Sequence, residues 1–161
     1  MQRAHKQFVI RDWQKGDRDL AANLIRQVLQ EYGLPWQPEE ADRDVIEVEN
    51  AYMAQGGEFW VVEFKGCIVG TAAYYPVKQD SSGVEIRKMY ILPQFRGQGL
   101  GKYLLQELEL AIAKKGFTTI YIETASVLQE AINLYEKNNY QPMKEVATAR
   151  CDRAYYKNLV G

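Results

Sequence analysis

Three alternating glycines between an arginine and a lysine, Arg96-Gly97-Gln98-Gly99-Leu100-Gly101-Lys102, constrain this chain more than any other stretch. Glycine has no Cβ, so the backbone can turn sharply there and leave its amides uncovered. The stretch follows a strand-like run and opens a segment with apolar residues at Leu100, Leu104, Leu105, Leu108 and Ile112, the spacing of an amphipathic helix. A helix start leaves N–H groups unpaired and carries the positive end of the helix dipole. A junction of this kind suits phosphate. Two familiar phosphate loops fail on spacing. Only Gln98, Gly99 and Leu100 separate Gly97 from Gly101-Lys102, one residue too few for a Walker loop, and Tyr103 follows where that loop needs Ser or Thr. A dinucleotide fingerprint begun at Gly97 and Gly99 needs its third glycine at position 102, which is lysine. A plain turn that merely begins a helix needs one such glycine, not three.

The flanking pattern predicts a mixed α/β fold. Residues 8–13 read as a short strand, and residues 17–32 as a helix with Leu20, Leu24, Ile25, Val28 and Leu29 on its apolar side, ending at Gly33. Residues 39–55 read as a second helix stopped by Gly56-Gly57. The period then changes to two. Residues 58–65 and 68–77 form a hairpin turning at Lys65-Gly66, and residues 84–92 continue as a strand. Alternation along that strand places Glu85, Arg87, Met89 and Ile91 on one face and Ile86, Lys88, Tyr90 and Leu92 on the other. After the helix over 100–115 come a strand at 118–124, a helix at 127–138, a turn into strand at 140–144 and a final strand at 150–159. Hairpins combined with one strand–helix–strand crossover predict a mixed sheet flanked by helices.

A chain of 161 residues suits a single domain over 1–161. Twenty Lys and Arg against 21 Asp and Glu leave a formal charge of −1, without the basic excess of a nucleic-acid binder. No apolar run approaches the ~18 residues of a membrane span. The start, Met1-Gln2-Arg3-Ala4-His5-Lys6, leads into an apolar run too short for a signal peptide. The expectation is a cytoplasmic monomer or simple oligomer, such as a homodimer. Cys67 and Cys151 lack partners at metal-ligand spacing, so no metal is expected and both read as reduced thiols. His5, the only histidine, falls in a segment expected to fray, which argues against a Ser-His or Cys-His nucleophile. Chemistry here falls to carboxylates, tyrosines, hydroxyls and backbone amides.

Three linked segments carry a resemblance. Arg96-Gly97-Gln98-Gly99-Leu100-Gly101 is similar to the R/Q-x-x-G-x-G/A signature of the GNAT superfamily of N-acetyltransferases. Ala131-Ile132-Asn133-Leu134-Tyr135-Glu136-Lys137-Asn138-Asn139-Tyr140 resembles that family's A-I-x-L-Y-E-K-x-G-F segment. Glu85-Ile86-Arg87-Lys88-Met89-Tyr90-Ile91 resembles its fourth strand, and the three occur in the family's order and spacing.

The resemblance implies acetyl-CoA as acyl donor, with no metal, and direct attack by the primary amine of a small molecule or peptide. It implies a mixed, mostly antiparallel sheet whose central strands splay apart at a bulge. Backbone groups of Met89, Tyr90 and Ile91 would then hold the pantetheine arm, much as an added strand would. The amides of Gln98, Gly99, Leu100, Gly101 and Lys102 would hold the pyrophosphate beside Gly97, with charge from Arg96 and Lys102. Glu85 matches the position of a general base, although it could simply pair with Arg87 or Lys88. Tyr135 matches the tyrosine that protonates the leaving thiolate, against a packing role beside Leu134 or Ile132. Glu123 and Thr124 stand as an alternative base or acceptor contact, or as a cap for the next helix. Leu128 replaces an asparagine common in the family, and Asn139 replaces a glycine. The acidic segment Glu39, Glu40, Asp42, Asp44, Glu47 and Glu49 reads as a solvated face or as an attraction for a cationic amine. Trp36, Tyr52, Trp60, Tyr74 and Tyr75 read as core or as acceptor pocket. A non-catalytic acyl-CoA sensor and a transferase for longer acyl groups are the competing readings.

Overall fold

The computed structural model describes residues 2–144 and 150–159. Eight strands form one sheet: β1 (Gln2–His5), β2 (Phe8–Asp12), β3 (Glu58–Phe64), β4 (Cys67–Pro76), β5 (Gly83–Ile91), β6 (Thr119–Thr124), β7 (Gln141–Met143) and β8 (Arg153–Asn158). Their spatial order is β1-β2-β3-β4-β5-β6-β8-β7. Every neighbouring pair is antiparallel except β5 with β6. The expected mixed, mostly antiparallel sheet is therefore present.

Helices cover both faces. One carries α1 (Arg18–Glu31), α2 (Arg43–Ile46) and α3 (Val48–Ala51), whose Leu24, Ile25, Val28, Leu29, Val45 and Val48 pack on Phe59, Val61 and Ala73. The other carries α4 (Leu100–Lys114) and α5 (Gln129–Lys137), packed on Trp60, Val62, Ala72, Ile86, Ile120 and Ile122. Successive residues of β3 thus feed opposite cores, as a strand's alternation requires.

Four expectations change. The 39–55 helix is broken: residues 39–42 form turns, α2 and α3 are one turn each, and Met53–Gln55 is a 3-10 turn. The Ala41 carbonyl accepts from Lys88 Nζ at 3.0 Å and Arg87 Nη2 at 3.2 Å, and Asp42 folds back to accept from the Gln37 amide at 2.8 Å. Backbone and carboxylate are thereby drawn into contacts with β5 and the preceding loop. The N-terminus does not fray: β1 pairs with β2, and His5 stacks on Tyr103 at 4.2 Å. Met1 lies outside the described residues. Leu20 is 60% exposed, so the apolar stripe of α1 begins at Ala21.

The fourth change matters most for the site. Thr71 pairs with Tyr90 and Ala73 with Arg87, so Lys88 and Met89 together oppose the single residue Ala72. Lys88 takes a left-handed φ of 52°, uncommon for a lysine. This bulge reverses the alternation. Tyr90 joins the α1 side with Glu85 and Arg87, while Met89 and Ile91 pack toward α4 and α5.

Candidate active site

Parallel pairing of β5 with β6 runs from Gly83–Thr119 only to Ile86–Ile122, although both strands continue. Beyond that point the strands part. A cavity of about 790 Å3 fills the opening, lined by residues 86–91 of β5, residues 122–125, Leu128, and the α5 residues Ala131, Leu134 and Tyr135. Val28, Tyr32 and Leu34 wall it from the α1 side, and Arg150 and Cys151 close it further along.

The glycine loop forms the opposite end. Gly97 and Gly99 have φ of 77° and 82°, the left-handed region that favours glycine, and a Cβ at either would meet nothing within 4 Å. Gly99 precedes the first helical residue of α4. Among the described residues, no protein acceptor takes a hydrogen bond from the amides of residues 97–102. An open concave surface with free N–H groups at a helix start fits a diphosphate. Gly97, Gly99, Gly101 and Lys102 line the cavity, whereas the Leu100 side chain is buried in the core and contributes only its backbone. Lys6, in the β1–β2 turn, braces the loop by donating from Nζ to the Gln98 carbonyl at 2.9 Å.

Arg96 lines the cavity, but its guanidinium is committed. It pairs with Glu31 at 2.6 and 2.9 Å, and donates to the Tyr32 hydroxyl at 2.9 Å and the Ile91 carbonyl at 2.8 Å. Its local effect is to tie the loop to α1 and to the end of β5. Lys102 is a second cation on the cavity wall.

Tyr135 stands at the far end, 4% exposed, its ring near Tyr140 and Tyr155 at 5.8 and 6.2 Å. Its hydroxyl makes no hydrogen bond among the described residues. Burial pushes its ionisation well above the ordinary tyrosine range, so the O–H keeps its proton at neutral pH. Glu85 does not line the cavity. It accepts from the Tyr75 hydroxyl at 3.2 Å and faces Arg87 at 3.7 Å. Burial raises its carboxyl above the usual range, Arg87 opposes that and Glu123 adds to it. Glu123 and Thr124 do line the cavity.

Beneath the bulge lies a buried charge cluster that sequence reading missed. Lys88 Nζ meets Asp42 at 3.0 Å and Asp44 at 3.4 Å, and Arg150 grips Asp42 with two bonds of 2.7 and 2.9 Å. The two carboxylates of the acidic segment that turn inward are therefore already paired. Glu47 and Glu49 pair with Arg43 and Arg18 at the surface. Tyr52, Trp60 and Tyr74 are core residues, and none of the five tryptophans and tyrosines considered for the acceptor pocket lines the cavity. Tyr32 and Tyr90 do. Cys151, read from the sequence as a bland thiol, lines it too.

The GNAT acetyltransferase family model matches residues 24–140. The chain belongs to the GNAT acetyltransferase family. This acetyltransferase is 40% identical over 129 residues to the uncharacterized N-acetyltransferase YjgM of Escherichia coli K12, covering 78% of this chain and 77% of that one. A GNAT acetyltransferase from Staphylococcus aureus Mu50 shares the fold with a TM-score of 0.88 at 21% identity, covering 95% of this chain and 99% of the other. The Salmonella typhimurium protein yncA, solved with its cofactor acetyl-CoA, matches with a TM-score of 0.75 at 20% identity, covering 96% and 95%. Among the described residues of the acetyltransferase, no helix is long and apolar enough to cross a membrane.

Proposed function

We propose that this acetyltransferase moves the acetyl group of acetyl-CoA directly to the primary amine of a small molecule or peptide, as a single domain working in the cytoplasm. One observation carries the reading: the opening between β5 and β6 runs from uncovered amides at the start of α4 to Tyr135, whose hydroxyl bonds to none of the described residues. When bound, acetyl-CoA supplies an activated acetyl thioester. The amides of residues 97–102 hold its pyrophosphate, with Lys102 adding charge. Backbone groups of Met89, Tyr90 and Ile91, released from β6 by the splay, hold the pantetheine arm. A backbone amide of the same stretch stabilises the negative charge that develops on the acyl oxygen.

Tyr135 Oη–H donates its proton to the departing thiolate. Glu85, which does not line the cavity, takes through water the proton that the amine must lose before attack. A binding-only sensor needs the loop and the bulged strand alone. The placement of Tyr135 at the far end of the same cavity favours catalysis.

The test is a thiol-release screen of the purified protein with acetyl-CoA against amino acids, polyamines, aminoglycosides and peptide N-termini. Release with at least one primary amine is expected. Tight acetyl-CoA binding with no release from any acceptor contradicts the transferase reading and supports a sensor. Propionyl-CoA and succinyl-CoA in the same assay separate acetyl transfer from transfer of longer groups.

A further inference from the structure

Residues 150–152 cross the mouth of the opened strands under restraint from both sides. Arg150 grips Asp42 and donates to the Pro35 carbonyl at 2.9 Å. The Asp152 amide donates to the Thr124 carbonyl at 3.1 Å, and its carboxylate accepts from the Ser126 amide at 2.6 Å and hydroxyl at 2.7 Å. Cys151, held between these anchors, lines the cavity. Tyr135 lines the same cavity at 4% exposure, with a hydroxyl that no described residue satisfies. Buried polar groups are normally paired, so an unpaired O–H facing an open space marks where a ligand atom belongs. Tyr90 lines this cavity together with Tyr135 and Cys151. A coenzyme bound there with its sulfur toward Tyr135 therefore shares the cavity that Cys151 lines. The other thiol provides a contrast: Cys67 is exposed at the start of β4, outside the cavity.

We propose that Cys151 is a thiol-exchange site at which the protein captures coenzyme A as a mixed disulfide, an inference that rests on the acetyl-CoA reading of the cleft. The co-reactant is a disulfide of coenzyme A, for example its mixed disulfide with glutathione. The Cys151 thiolate attacks the coenzyme A sulfur, a new S–S bond joins the two, and the original S–S bond breaks. Glutathione leaves with the electron pair as a thiolate and takes a proton. Cys151 is oxidised to the disulfide level as the glutathione half is reduced, so no further oxidant is needed. The adduct occupies the cleft and stops turnover until a thiol reverses the exchange.

The experiment exposes the full chain to the coenzyme A–glutathione disulfide and locates adducts by peptide mass mapping. One coenzyme A is expected on Cys151, forming at least about 10-fold faster than any adduct on Cys67 because binding brings the reacting sulfurs together. Excess acetyl-CoA should block it and dithiothreitol should remove it. Cys67→Ser should behave as the parent, and Cys151→Ser should take up no coenzyme A in the cleft. Equal rates at both cysteines, an adduct indifferent to acetyl-CoA, or glutathione on Cys151 in place of coenzyme A overturns the proposal. Calorimetry with acetyl-CoA separates the two levels. Acetyl-CoA binding without a Cys151 adduct overturns the thiol site alone, and no acetyl-CoA binding overturns the reading of the cleft as well.

Discussion

Tyr135 and Glu85 differ in what surrounds them, and that sets what each can do. Tyr135 is enclosed by apolar and aromatic groups, so its proton is held firmly until a stronger base, the departing thiolate, lies against it. Tyr135→Phe keeps the ring packing and removes only the O–H. Turnover should fall by about 10²-fold, the usual worth of a positioned acid, while acetyl-CoA affinity measured by calorimetry stays within a factor of two to three. Glu85 must be ionised to accept a proton, and burial raises its carboxyl. The acid limb of the pH dependence of kcat/KM, which reports groups of the free enzyme, should therefore lie above the ordinary carboxylate value of about 4.3, and Glu85→Gln should abolish that limb together with most of the turnover. A limb unmoved in Glu85→Gln would assign the base to another group. Asp42 is a structural residue of a different kind. Burial alone would raise its carboxyl, yet Arg150 and Lys88 outweigh that and hold it below the ordinary range. Such a depressed group stabilises the fold above the unfolded carboxylate pKa, and the contribution is lost as pH falls through the folded value. Asp42→Ala removes the carboxylate partner of Arg150 and leaves Lys88 with Asp44 as its remaining carboxylate, and urea unfolding at pH 7 should show a loss of about 3 kcal/mol.

At the scale of elements, the loop and the bulge do the positioning. Gly99 sits in left-handed backbone with open space around it, so Gly99→Ala meets no clash and only strain, roughly 1–2 kcal/mol. Its effect should therefore appear chiefly as weaker coenzyme A binding, read by calorimetry, with the far-UV circular dichroism of the parent retained. The loop, α1, α4, α5 and the β3–β4 hairpin were legible in the sequence because local rules decide them: glycine spacing, a 3.6-residue apolar period, and a turn at Lys65-Gly66. The bulge in β5 was implied by the family resemblance but not by the local pattern. Strict alternation of Glu85, Arg87, Met89 and Ile91 is a fair reading of the letters, and only a tertiary contact breaks it. Lys88 is drawn under the sheet to Asp42 and Asp44, which lie more than 40 positions away in sequence. The same contact explains why residues 39–55 do not form one helix.

For the whole molecule, the sheet serves as a frame with one deliberate fault. Two cores hold it from opposite faces, and the single parallel junction, β5 with β6, is where pairing stops. The sequence pointed to this architecture through the resemblance of three segments, and to Tyr135 and the glycine loop by position. It could not show that Arg96 is spent on Glu31, that Glu85 stands outside the cavity, or that Cys151 stands in it, because each depends on chain segments distant in sequence. Since acetyl-CoA would bind only the folded cleft, a concentration of one hundred times Kd should add about 2.7 kcal/mol of stability. For a domain of this size that raises Tm by about 5–10 °C, which differential scanning fluorimetry will detect.

The most direct measurement is a crystal structure of the protein with coenzyme A. The pyrophosphate should lie within hydrogen-bond distance of the amides of residues 97–102, with the coenzyme's sulfur beside the Tyr135 hydroxyl. A coenzyme bound elsewhere, or a glycine loop whose amides turn to protein acceptors instead, would contradict the account.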